Sequence, residues 1–171
     1  MILRGPHILP ATVAGAVLLG ACARDDEASM RARLAPWFSL GETLAFSSRA
    51  GCAAAAFRLV SGDIGAAVAV ERNLSDMLRA LPNRGVAALD DPKMTPDAAM
   101  VDAANSDRTL GMGMRRAGLE ARPCMEGKVG VEFLRLLGRP ETVLAYETEQ
   151  GTLMLMDRAN RVLVVAAGER A

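Results

Sequence analysis

Histidine is almost missing from this chain of 171 residues, the only one being His7. Aromatic residues make up 4% of it, and lysine occurs only at Lys93 and Lys128, against eighteen arginines. Each shortage excludes something. Without imidazole in the body of the chain, Ser-His and Cys-His nucleophile systems and histidine metal sites lose their commonest part. A Ser-Lys dyad would need one of the two lysines, and no Ser-x-x-Lys spacing occurs. The formal net charge is zero, and no basic run or aromatic-basic interleaving is present, which argues against nucleic acid as a partner. With 51% hydrophobic residues and so few rings, the core must be built from Ala, Val, Leu and Met. The arginine excess reads as coding bias, not as function.

What is present begins at the N-terminus. Arg4 stands in a short head, a mostly apolar stretch runs from Ile8 to Leu19, and the small residues Gly20 and Ala21 precede Cys22. This is the layout of a secretory signal peptide. A spanning helix needs roughly 20 consecutive apolar residues. This stretch is shorter and is interrupted by Pro10.

Leu19-Gly20-Ala21-Cys22 resembles the lipobox of bacterial lipoproteins, an aliphatic residue and two small ones before a cysteine. The resemblance implies that the Cys22 thiol receives a diacylglycerol, that residues 1–21 are cut off and that the new amino terminus is acylated. Residues 22–29 then form a lipidated, charged tether, and residues 30–171 a single periplasmic domain. Acylation of this kind suffices for stable anchoring, since each buried methylene contributes about 0.8 kcal/mol and more than one chain is attached. By the same analogy, Ala23 in place of an inner-membrane retention aspartate favours the outer membrane.

Three cysteines are an odd count for an exported chain. With Cys22 lipidated, Cys52 and Cys124 remain, and in an oxidising compartment they are expected to pair. The alternative is two unpaired thiols buried as small hydrophobes.

Along the body, Met30–Leu40 reads as a short helix or irregular arm broken by Pro36. Glu42–Ser48 and Cys52–Val60 flank Arg49-Ala50-Gly51 as a β-hairpin, although the alanine run could equally be helical. Ser61-Gly62-Asp63 is a turn signal. Asn73–Leu81 has apolar residues at helical spacing, stopped by Pro82-Asn83. Leu89–Lys93 reads as loop, and Thr95 caps a helix expected from Pro96 to Arg116, its second half weakened by Gly111 and Gly113. Lys128–Leu137 is a further helix with Val131, Leu134 and Leu137 on one face. Thr142–Thr148, Thr152–Asp157 and Arg161–Ala167 form an antiparallel meander. The expected fold is α+β: an N-terminal hairpin, two or three helices and a C-terminal three-stranded meander in one sheet, with helices on one face.

The order Gly127, helix, Leu137-Gly-x-Pro140, then a meander with Tyr146 in its first strand and Asp157 before its last turn is similar to that of BamE/SmpA-type outer-membrane lipoproteins. That likeness spans about forty residues and implies a non-enzymatic accessory of outer-membrane protein assembly.

The search for chemistry yields few candidates. Asp90, Asp91, Asp97, Asp102 and Asp107 crowd one region, but Asp97 and Asp102 fall about 140° apart on a helix. Gly111-Met112-Gly113 follows a helical pattern and lacks the third glycine of a dinucleotide loop. Met112 and Met114 are candidate soft ligands for Cu(I), whereas Met154 and Met156 share one strand face as core filler. No cofactor is expected. The expectation is therefore a lipid-anchored, non-enzymatic structural or protein-interaction module of the cell envelope, held to the membrane at Cys22 and meeting an envelope protein. Its alternatives are a ligand- or Cu(I)-binding lipoprotein and an assembly accessory.

Overall fold

A computed structural model describes residues 24–169; the stretch expected to be a signal peptide, residues 1–21, and the expected lipidation site at Cys22 lie outside the described residues. The fold is α+β, and the described residues form five α-helices and seven strands in one mixed sheet. Helix α1 spans Glu27–Leu34, and strands β1 (Phe38–Arg49) and β2 (Cys52–Ile64) form the N-terminal hairpin. A short β3 (Ala69–Glu71), helix α2 (Leu74–Arg84) and β4 (Val86–Leu89) follow. Then come α3 (Pro96–Ser106), α4 (Arg108–Glu120), a 3-10 turn at Arg122–Cys124 and α5 (Lys128–Leu137). Strands β5 (Val143–Glu147), β6 (Thr152–Asp157) and β7 (Val162–Ala167) are the meander.

The order across the sheet is β1-β2-β7-β6-β5-β4-β3, so hairpin and meander join through the antiparallel pair β2–β7. Only β3 and β4 run parallel, with α2 as their connection. Alanine favours helices, yet Ala53–Ala56 are strand because they are paired on both sides, to β1 and to β7. Their alternation is complete. Cys52, Ala54 and Ala56 face a core formed with α2 to α5, while Ala53, Ala55 and Phe57 face Met30 and Leu34 of α1 on the other side. Leu153 and Leu155 join the first layer, and Met154 and Met156 the second.

Several elements depart from the sequence-based expectation. The helix expected over Pro96–Arg116 is two: Asp107 is extended (φ −135°, ψ 99°) and its carboxylate accepts the Leu110 N–H, so it ends α3 and caps α4. Helix α2 passes through Pro82 to Arg84 and stops at Gly85, whose φ of 72° needs glycine. Pro82 has no N–H to give to the Leu78 carbonyl, so the helix forgoes one backbone bond there and still closes its last turn at Gly85. Ser61-Gly62-Asp63 continues β2 instead of turning, and Leu89 ends a strand instead of opening a loop.

The tether is also revised. Residues read as a charged leash before a domain starting at Met30 are part of the fold from Arg24 onward: Arg24 and Asp25 are 6% and 7% exposed. The Arg24 N–H donates to the Arg49 carbonyl at 2.8 Å, and its side chain donates to the carbonyls of Gly168, at 2.6 Å, and Gln150. Asp25 pairs with Arg33 at 2.7 Å, and Asp26 caps α1 through the Ser29 N–H. Of the tether charges, Arg24 and Asp25 are buried in the structure, while Asp26 remains at the surface as the cap of α1.

Candidate functional site

A concavity with an apolar lining lies between α4 and α5. It is a groove of about 590 Å³ lined by Leu119, Arg122, Met125, Val131, Phe133 and Leu134, with Asp97 and Met100 reaching it from α3. Two glycines shape its surroundings. Gly127, three residues after the 3-10 turn, starts α5 with φ 57°, and Gly111 lets α4 settle against α3. The second contact is close enough that a Cβ on Gly111 would meet Ala103 and Ala104 backbone.

Helix α5 is apolar on two sides. Val129, Phe133 and Leu136 enter the core. Val131 and Leu134, the stripe singled out in the sequence, stand 67% and 71% exposed and form the groove wall instead, opposite Leu119 at 61%. The aromatic stripe takes the sheet because it removes more apolar surface from water.

Positive charge dominates the rim. Arg115 and Arg122 line the groove and Lys128 stands beside Gly127 at its end, all exposed. None of the three has an ion-pair partner among the described residues. The neighbouring acids are matched elsewhere: Glu120 lies 3.8 Å from Arg116, Glu126 2.5 Å from Arg49 and Glu132 2.8 Å from Arg135.

The other candidates from the sequence are dispersed. Asp90 pairs with Arg72 and Arg158, Asp91 accepts the Lys93 N–H in a turn, and Asp107 is a helix cap. Asp97 lies in the α4–α5 groove and Asp102 in a separate cleft between α2 and α3. Among the described residues no three His, Cys, Asp or Glu side chains gather as a metal set. Met112 is exposed while Met114 is fully buried in the core, so the two thioethers do not meet on one surface. Cys52 and Cys124 are joined by a disulfide with Cα atoms 6.0 Å apart, tying the start of β2 to the turn before α5.

Four titratable groups, Asp26, Arg135, Tyr146 and Asp157, are displaced from their usual ranges, the last two while largely buried. Burial pushes the Tyr146 phenol up, assisted by the charge of Glu147. Burial acts to raise Asp157 as well, but hydrogen bonds from the Asn160 side chain and backbone and from Arg135 outweigh it and hold this carboxyl below the usual range. Asp157 thereby fastens α5 to the β6–β7 turn, a structural duty.

No helix among the described residues is long and apolar enough to cross a membrane. Comparison with known proteins gave no match to a family model, a curated protein or a solved structure.

Proposed function

We propose that this is a lipid-anchored protein of the cell envelope, attached through Cys22 at the periplasmic face, preferentially of the outer membrane, and acting by surface contact and not by catalysis. The anchor rests on the Leu19–Cys22 sequence, and the observation that supports surface contact is the α4–α5 groove: exposed leucine and valine beside Arg115 and Arg122, on a body where Asp90 is an ion-pair partner and Asp107 a helix cap. Apolar surface left in one groove marks a place where another surface settles.

The test is the mature protein from its producing cell. Its mass should carry a diacylglycerol and a fatty acid on Cys22, and it should enter the detergent phase on partition. A Cys22→Ala chain should lose that mass and stay unprocessed. A water-soluble product cut near Ala23 would overturn the proposal.

A further inference from the structure

The groove has three properties that converge on one occupant. Its walls are apolar and wet: Leu119, Val131 and Leu134 are each more than half exposed. Single apolar residues are ordinary on a surface, whereas several lining one groove are not. Its rim is mainly basic, with Arg115 and Arg122 in the lining and Lys128 beside it, against Asp97 in the lining and Glu126, which is paired to Arg49. Helix α5 opens at Gly127 without a side-chain cap, so the positive end of its dipole adds to that rim.

The third property is where the chain arrives. Arg24 is bonded through its N–H to Arg49, the Arg49 guanidinium holds Glu126, and Glu126 adjoins Met125 of the groove lining. Cys22 is two residues upstream of Arg24, at most about 7 Å of extended chain. An acyl group on Cys22 therefore brings the bilayer to the end of the sheet that carries Arg49 and Gly168, the end at which Arg49 reaches Glu126 beside the groove.

We propose that the α4–α5 groove is a membrane-contact surface, with Leu119, Val131 and Leu134 entering the acyl boundary of an anionic phospholipid leaflet and Arg115, Arg122 and Lys128 binding its phosphates. The proposal rests on acylation of Cys22. An amphipathic surface of this composition lies in the interface plane, where apolar burial and attraction to anionic lipid add. The orientation of the domain is then set by two contacts, the anchor and the groove.

The experiment uses the full lipidated chain in vesicles of phosphatidylethanolamine with or without phosphatidylglycerol, made with brominated acyl chains. Leu134→Trp in a Trp37→Phe background reports the groove, and Val60→Trp, an exposed position on β2 outside it, is the control. Where the Trp37→Phe chain does not fold, the same reporters are read by difference with Trp37 retained. Bromine should quench Leu134→Trp and not Val60→Trp, more strongly with phosphatidylglycerol present. Replacing Arg115, Arg122 and Lys128 together by Ala should weaken the contact equilibrium by on the order of a hundredfold.

Equal quenching at both positions, or none at Leu134→Trp, overturns the proposal. So does Leu134→Trp emission that shifts with protein concentration and ignores bromine, which assigns the groove to a second copy of the chain. The mass of Cys22 in the same sample separates the two readings. Acylated Cys22 with unquenched Leu134→Trp removes the groove and leaves the anchor. Unmodified Cys22 removes the anchor, and quenching of that chain added to the vesicles still decides the groove.

Discussion

Gly111 of α4 lies against Ala104 of α3 so closely that a Cβ built on it would stand 2.1 Å from the Ala104 nitrogen. The obstacle is backbone, which cannot step aside as a side-chain tip can. Gly111→Ala should therefore destabilise the protein by about 1–3 kcal/mol, despite the better helix propensity of alanine. Gly138→Ala, where nothing lies within 4 Å, should change stability little. Urea unfolding of the two variants checks the contrast, and equal midpoints would contradict the close crossing.

The two stripes of α5 make a second contrast. Phe133→Ala empties a core position and should cost about 3–5 kcal/mol, whereas Leu134→Ala, one residue away and largely exposed, should stay within about 0.5 kcal/mol. Thermal melts decide it. A large loss at Leu134 would mean that this stripe, and not the Phe133 stripe, is packed.

Opening the Cys52–Cys124 bond releases a segment with a sequence separation of 72. In the chain-entropy model the double Ser variant should lose about 4 kcal/mol. Denaturant midpoints of oxidised protein, reduced protein and the variant should place the last two together and well below the first.

Asp157 gives a pH signature with a definite sign. Its carboxyl titrates below the ordinary value of 3.8 in the folded state. Its contribution is thus full above about pH 4 and fades as pH falls through the folded value. Compared with Asp157→Asn, the natural chain should be more stable at neutral pH, with the gap closing under acid. Melting temperatures of both proteins across acidic buffers test this, and a gap that widens on acidification would reverse the sign.

The parts of the fold that could be read from sequence are those whose partners are near in the chain. The β1–β2 hairpin and the β5–β7 meander announce themselves through Gly51 and Gly151, both at positive φ, and the runs around them. Strands β3 and β4 could not be read that way. Val86–Leu89 is buried throughout, so no polar alternation marks it, and its parallel partner lies beyond α2. The α3–α4 break escaped because Asp107, a cap residue with no glycine or proline beside it, looks like any polar position of a long helix.

Glycine misled in the same region. Gly111 and Gly113 read as weaknesses of one helix, while the structure uses the first as a contact point between two. The groove was legible only as residues without direction: Val131 and Leu134 were seen to share a face, but periodicity cannot tell which of two apolar faces of α5 turns outward.

The hold on Arg24 has a mechanical consequence. A pull applied upstream of Arg24 has no slack to take up. It loads the carbonyl of Arg49 at the β1–β2 turn, that of Gln150 at the β5–β6 turn and that of Gly168 after β7 at the same moment. Tension is shared across one whole end of the sheet and does not peel the edge strand away, so the body resists as a unit where a leashed domain would first swing and then unzip.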